Sequence, residues 1–417
     1  MVAGLVAVFV LVTCVASGVP RPGFAEVLPD PVTYVRVRDQ LGRMPFAYLL
    51  DGHVLYVATR GRVEAKDLRK RGQRLWTVAE LDVRDTPDLR VVNGILLVSS
   101  TEVVQGPTWS GVTALDARTG AVRWAADGRV GGVTGDTVLL DDFGTAGVGL
   151  STGERLWKSE SAGVFQLGAD GSPALPLRLF VVRGGMDMDD SGCWNTETLR
   201  VHDPVTGKEL NSRQLRRELV STVKGGCWLE GPQRQIVPVG TEMALVAGNK
   251  GMVGVDPVTL QDTWRMEISR LYGDSGPWAC GEFVCGVRFG SWYTPETFVV
   301  RRSDRREVWS GSDQRAVVLP GGHMVAGQYT VPGVVFLDER GAVRGQLPRW
   351  KALVNSPRGP VVQWSQERTS WVGRVDVASG KVQPVGDIGV TGNDCQASAE
   401  YLVCLDNRNA LRAWYLP

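Results

Sequence analysis

Histidine is nearly missing from this chain. Three occur in 417 residues, His53, His202 and His323, and no two of the seven Cys form a C-x-x-C pair. A zinc site is left without its usual donor sets, and no metal is expected. An excess of charge is missing too: 46 Lys and Arg face 45 Asp and Glu, which calls for neither a nucleic acid nor a strongly cationic partner. Nor is there a long stretch with the helical period of apolar residues. What is abundant is glycine, 51 residues, and tryptophan, 14 residues, beside an ordinary 43% of apolar residues. That combination favours a turn-rich all-β chain with a sizeable core.

The first 18 residues are of a different kind. Val2 to Gly18 carries no charge and is almost wholly apolar, the length of a signal-peptide core or of a slightly short membrane helix. Residues 19–31 follow as a Pro-rich linker. No basic residue precedes the apolar run, which departs from the usual signal peptide. "VAS" at 15–17 and "GFA" at 23–25 fit cleavage, and Cys14 in "LVTC" is a poor match to a lipidation site. A cleaved leader and a retained anchor both place residues 32–417 outside the cytoplasm. The even number of remaining Cys (Cys193, Cys227, Cys280, Cys285, Cys395, Cys404) then reads as three disulfides.

The segment "GVTALDARTGAVRWAAD", Gly111 to Asp127, is the clearest local signal. "TALDA" alternates as a strand does. Asp116 can bond the turn backbone, Gly120 can close the turn in the left-handed region, and Trp124 lies on the returning strand. Relatives of this unit recur with Gly72 and Trp76, Gly153 and Trp157, Asp203 and Gly207, Asp256 and Trp264, Trp309, Asp338 and Gly341, and Asp376 and Gly380. An apolar run precedes each unit, among them "ILLVSS" at 95–100 and "HMVAGQY" at 323–329. A spacing of roughly forty residues is the period of a four-stranded propeller blade. The repeated Trp are expected on the outer strands, packed against the neighbouring blade.

"ALDARTGAVRW" resembles the repeat of the pyrroloquinoline-quinone (PQQ) family, A-L-D-x-x-T-G-x-x-x-W. The likeness runs over most of residues 45–417. It implies a β-propeller, of eight blades in that family, whereas the apolar runs number nine. The last unit ends with "ALRAWYLP", its third strand. "VTYVRVRD", Val32 to Asp39, is a spare strand that can complete the last blade and close the ring.

Four inserts fall on the face that carries the second-to-third-strand and blade-to-blade connections: 102–110, 184–197, 212–233 and 289–296. They hold Trp109, Trp194, Trp228, Trp292 and Tyr293, a candidate binding face or a cap over the ring. Cys193 and Cys227 lie in adjacent inserts and are the expected long-range pair. Cys280–Cys285 and Cys395–Cys404 are expected to sit opposite each other on hairpins. "MDMDD", Met186 to Asp190, reads as a solvated acidic loop without the spacing of a calcium site. "GDSGP" at 273–277 looks like a serine-protease motif, but no matching His context precedes it.

Enzymes of the PQQ family use adjacent Cys residues over the cofactor, and no Cys-Cys dipeptide exists here. The expectation is a non-enzymatic extracytoplasmic propeller without cofactor, of a type suited to a high-GC, actinobacterial source. It would be a monomer that touches the membrane only through its N-terminal segment, and would bind a protein partner or an envelope ligand. The alternative is a quinoprotein-type dehydrogenase with a divergent PQQ and Ca²⁺ site.

Overall fold

The computed structural model describes residues 33–36, 46–59, 61–81, 87–102, 109–141, 144–159, 164–168, 178–189, 192–215, 218–221, 235–239, 242–246, 252–266, 278–280, 283–289, 295–311, 316–319, 322, 324–325, 333–366, 369–387, 393–406 and 410–416. Among them the elements are strands, apart from one 3₁₀ turn at Leu68–Lys70. The strands pair into nine sheets of four, one of which carries a fifth strand. In chain order the sheets cover 46–79, 88–127, 129–159, 164–221, 235–266, 278–311, 316–348, 351–387, and 393–415 with 33–36, and are numbered 1 to 9 here. Nine sheets among the described residues stand against the eight that the family resemblance implies.

The apolar runs are continuous rather than alternating because both faces of each sheet are covered. In Ile95–Glu102, Leu96 and Val98 pack toward sheet 1 with Tyr56, Val63 and Trp76. The intervening Ile95 and Leu97 pack toward sheet 3 with Val130, Val138 and Val148. Each hydrophobic cluster joins two successive sheets in this way, through to Val361 and Val372 of sheet 8 against Leu402 and Trp414 of sheet 9. Tyr401 and Leu411 of sheet 9 then meet Tyr48 and Leu55 of sheet 1. The ring is therefore closed, and the chain is a β-propeller. Its innermost strands touch in order, for example Arg129–Thr134 with Val164–Gly168 and Asn393–Ala397 with Phe46–Asp51.

The repeated Trp explain the motif. Trp76, Trp124 and Trp157 stand on the fourth strands of sheets 1 to 3, directly opposite Ala65, Ala114 and Gly147 of the third strands. The small partner leaves room for the indole to lie flat. Each indole then reaches the third-to-fourth-strand turn of the next sheet. Trp76 Nε1 donates to the Ala117 carbonyl at 3.0 Å, Trp124 to Leu150 at 2.8 Å and Trp157 to Pro204 at 3.2 Å. The floor of each dock is the turn glycine. A Cβ on Gly120 would lie 2.7 Å from the Trp76 ring, and one on Gly153 2.5 Å from Trp124. Both glycines also have φ near +70 to +76°, so a side chain there is excluded twice.

Later seams vary the device. Asn211 replaces Trp in sheet 4 and donates to the Val258 carbonyl of sheet 5 at 2.8 Å. Arg305 takes the turn-glycine place in sheet 6, with its guanidinium 5.5 Å from the Trp264 ring centre. Trp309 is half-buried, and Gly341 of sheet 7 packs against Val308 instead of its indole. In sheet 7 large and small are exchanged: Phe336 is on the third strand and Gly345 opposite it on the fourth.

Closure follows the expectation. Thr33–Arg36 is the fourth strand of sheet 9, antiparallel to Ala410–Tyr415, with Thr33 opposite Ala413 and Arg36 opposite Ala410. A side chain fastens the same seam from inside the ring. The Gln396 amide accepts from Leu50 N and donates to the Tyr48 carbonyl, both at 2.8 Å.

Two expectations are corrected. "HMVAGQY" does not supply a second strand beside the hairpin of sheet 7. Met324–Val325 lies at the sheet edge, and Ala316–Val318 pairs in parallel with Gly333–Leu337. Val317 and Val318 are buried on opposite faces, a place that the uninterrupted "AVV" fills and the apolar run broken by Gly327 does not. Both hairpin disulfides are formed. Cys395 and Cys404 are directly opposite, with Cα atoms 4.1 Å apart. Cys280 and Cys285 are not, because the tight turn sets Cys280 opposite Phe283 and Cys285 opposite Trp278, leaving a diagonal pair with Cα atoms 6.0 Å apart. Residues 1–31, expected from the sequence to be a leader and a linker, lie outside the described residues. No helix among the described residues is long and apolar enough to cross a membrane.

Candidate functional site

Because strands alternate in direction, the second-to-third-strand connections and the sheet-to-sheet connections share one end of the ring. Among the described residues, sheet 4 reaches furthest there. Its second and third strands, Arg178–Asp189 and Gly192–His202, stay paired from Leu179–His202 out to Asp189–Gly192. The first strand, Val164–Gly168, follows only as far as Val182, and the fourth, Glu209–Gln214, only to Thr198. A hairpin arm from Gly184–Glu197 to its tip therefore projects beyond its own sheet. Glu218–Ser221 then returns alongside the arm, pairing with Cys193, Trp194 and Asn195. The arm is a small three-stranded sheet at the end of the ring.

This corrects the reading of 184–197 as a loop. In "MDMDD" the first four residues are not a loop, since Met186 to Asp189 are strand residues paired with Asn195 to Gly192. The M-D-M-D alternation is itself a period of two, the signal that could have found the strand. Trp194 is paired with Asp187 on one side and Leu219 on the other, and Cys193 with Met188 and Ser221. Leu219 and Glu218 were missed because a four-residue strand in a polar segment leaves no pattern long enough to read. Trp109 opens the third strand of sheet 2, opposite Glu102. Trp228, Trp292, Tyr293, Cys227 and the "GDSGP" segment lie outside the described residues. Among the described residues no group of three or more His, Cys, Asp or Glu could hold a metal ion. Non-reduced digests analysed by mass spectrometry are expected to show a third link, Cys193–Cys227, beside the two formed hairpin bonds. A Cys227–Cys280 peptide would overturn that pairing.

The opposite end of the ring carries the Asp turns. Asp116 Oδ1 accepts from Arg118 N at 3.1 Å and Thr119 N at 2.9 Å, and Arg123 Nη2 meets Oδ2 at 2.6 Å. Asp256 repeats the pattern with Val258 N, and Asp338 with Arg340 N and Ala342 N, all at 2.9 Å. These bonds favour the ionised form. Arg123 and Thr119 hold the Asp116 carboxyl below the usual range, the Thr259 N–H does so for Asp256, the Ala342 N–H for Asp338, and the Ser379 hydroxyl for Asp376. Behind the first turn, burial and then the charges of Asp51 and Asp116 push the Tyr56 phenol up to about 12. Its hydroxyl donates to the Ala117 carbonyl at 3.3 Å, the same oxygen that receives Trp76.

A pH dependence follows. Carboxyls depressed in the folded state contribute stability that is complete above their unfolded pKa of about 3.9 and is lost as pH falls through the folded values. The melting temperature should hold on acidification to about pH 5 and fall below about pH 4. Calorimetry across this range checks it, and Asp→Asn at positions 116, 256, 338 and 376 together should flatten the fall. An equally steep fall in that variant would place the titrating groups elsewhere.

No protein-family model matches the chain, and no curated protein sequence matches it. Solved structures do. BamB from Moraxella catarrhalis is 15% identical, with 93% of this chain and 98% of that one covered and a TM-score of 0.46. The computationally designed Ika8 protein is 15% identical over 93% of this chain and 99% of its own, with a TM-score of 0.47. A europium-containing methanol dehydrogenase is 12% identical over 89% and 84%, with a TM-score of 0.42. The strand pairing described above, rather than any one of these likenesses, is what makes this chain a β-propeller.

Proposed function

We propose that the protein is an extracytoplasmic, non-enzymatic binding module. It would act as a monomer, held at the membrane or released by its N-terminal segment, and receive a protein partner at the end of the ring that bears the arm of sheet 4. The observation that carries this reading is the arm itself. Six residue pairs, from Gly184–Glu197 to Asp189–Gly192, project past the sheet that supports them and gain a third strand from Glu218–Ser221. Sheet core needs none of this. A rigid platform raised on a scaffold is a common way to present a binding surface.

The test is site-specific photo-crosslinking in the native envelope. A photoreactive residue at position 194 should give a discrete protein adduct, while one at Val122, exposed on the opposite turn end, should not. Replacing residues 185–196 by Asn-Gly, a two-residue hairpin turn, should abolish the adducts formed from position 219; because the exchange also removes Cys193, its melting temperature should stay near that of a Cys193→Ser, Cys227→Ser variant rather than that of the parent. Equal adducts from 122 and 194 would overturn the assignment. Dye-linked alcohol or sugar oxidation after loading with PQQ and Ca²⁺ would overturn the non-enzymatic reading in favour of a quinoprotein.

A further inference from the structure

The closing strand decides at which end of the ring the N-terminal segment leaves. Ala410–Tyr415 runs toward the end that carries the Asp turns, where Tyr415 stands opposite Tyr401, the first residue of the second strand of sheet 9. Thr33–Arg36 is antiparallel to it, with Thr33 opposite Ala413. The chain N-terminal to Thr33 therefore departs at the Asp-turn end, opposite the arm, from the outer rim of sheet 9. Residues 19–32 separate the apolar run from this point, about 45 Å of chain when extended.

The turn beside that exit differs from the others. The carbonyls of Asp116, Asp203, Asp256 and Asp376 accept the closing N–H from the fourth residue on, whereas that of Asp67 accepts from Gly72, the fifth. The 3₁₀ turn Leu68–Lys70 takes up the extra residue. Leu68 is buried with Tyr401 of sheet 9, which fixes the turn to the rim where the chain leaves. The residues that follow are cations, Arg69, Lys70 and Arg71, and Arg74 comes after the glycine; all four are exposed. Arg71 holds φ at +55°, in the left-handed region that favours glycine. The buried Asp67 meets Arg69 at 3.4 Å, and no carboxylate among the described residues pairs with Lys70, Arg71 or Arg74. Asp51 and Glu400 are the exposed acids of the neighbouring inner turns. Two apolar side chains stand open in the same place, Leu75 at 44% exposure and Tyr415 at 46%. Tyr415 also meets Tyr401 edge-on, with ring centres 5.8 Å apart. Arginine, lysine and tyrosine beside apolar side chains suit the headgroup level of a membrane, where the charges and the hydroxyl stay wet and the apolar parts are covered.

We propose that the Asp-turn end of the ring, at the seam between sheets 9 and 1, docks on an anionic lipid surface through Lys70, Arg71, Arg74, Leu75 and Tyr415. This rests on the membrane attachment of the N-terminal segment in the function proposed above, and adds a second contact to it. Each cation near an anionic surface strengthens binding by only about fivefold. The tether raises the effective concentration of the surface, so a few cations suffice. A second copy of this chain would set the same cations against each other, which disfavours it as the occupant. With this end on the lipid, the arm of sheet 4 points away from the membrane toward its partner.

The test uses the full chain, reconstituted in phosphatidylcholine vesicles with and without phosphatidylglycerol, and a photoreactive residue at position 75 or 194. Every form should float with both vesicles through its N-terminal segment. Position 75 should give lipid adducts on the anionic vesicles, at least about fivefold fewer on the neutral ones and in about 1 M salt. Position 194, on the arm, should give none. Lys70→Gln, Arg71→Gly and Arg74→Gln together change only exposed side chains and put glycine at the positive φ. This variant should lose at least about fivefold of the adducts from position 75 while its flotation and melting temperature stay those of the parent. A chain that does not float overturns the membrane attachment and the docking with it. A chain that floats overturns the docking alone if positions 75 and 194 label lipid equally, if the two vesicles give equal adducts, or if the triple exchange changes nothing. A protein adduct from position 75 in the native envelope, with no lipid adduct, would assign this face to a protein partner and overturn the lipid reading.

Discussion

Replacing Trp124 by Ala is expected to destabilise the protein by about 3–5 kcal/mol, the range for deleting a buried large aromatic side chain. Trp124 is only 7% exposed, and its contacts belong to two sheets. It lies over Ala114 of its own sheet, against Gly153 of the next, and donates to the Leu150 carbonyl. The truncation leaves a cavity and an unpaired carbonyl at one seam. The turn glycine cannot fill the gap, and the packed neighbours on both sides limit relaxation. Urea unfolding at 25 °C measures the effect. Trp309→Ala is the internal control. That indole is half-buried and the next turn packs on Val308, so its loss should cost less than half as much. Equal effects at the two positions would show that docking on the turn glycine contributes nothing beyond burial.

A chain beginning at Gly42 should melt well below one beginning at Val32 and should aggregate on heating. The ten residues that differ include Thr33–Arg36, which supplies the fourth strand of the last sheet. Removing it leaves the Ala410–Ala413 main chain as an open edge, in a strand whose Ala410, Leu411 and Ala413 are fully buried. Such an edge is a template for pairing with another molecule. The seam between sheets 9 and 1 would keep its side-chain cluster and the Gln396 bridge, so partial folding is expected rather than collapse. Light scattering during thermal unfolding separates the two chains. Equal melting temperatures would reduce the strand to a linker and leave closure to the Gln396 seam.

The two predictions differ in how far the sequence foresaw their basis. The Trp repeat named the side chains and placed them on outer strands, and the structure supplied the reason: a small residue opposite, a turn glycine beneath and a turn carbonyl ahead. The closing strand was legible from alternation in "VTYVRVRD" and from a last unit one strand short. The arm of sheet 4 was not legible as an arm. Its glycines and acidic residues carry the composition of a loop, although Met186 to Asp189 alternate as a strand. The third strand of the arm was invisible, because four residues at 218–221 hold no periodicity of their own. Of the candidate aromatics, the structure sets Trp194 beside Asp187 and Leu219 and keeps Trp109 on sheet 2, opposite Glu102.

What the sequence determined by itself is everything that forms within a few residues. Asp116 caps its own turn with N–H groups two and three positions on, Gly120 supplies the one positive φ the turn needs, and Cys395 meets Cys404 across a single hairpin. Those bonds close over short spans of chain, so their residues must stand at fixed spacing and can be read at fixed spacing. The tertiary structure alone decided which of two apolar segments became the buried strand of sheet 7, and that Phe336 of the third strand stands at the seam between sheets 7 and 8 where the seams after sheets 1, 2 and 3 hold an indole. It also decided that the connection in sheet 4 stayed paired beyond its neighbours. Those outcomes depend on competition for burial between segments that meet only once the sheets stack, and neither competitor carries a local mark of having won.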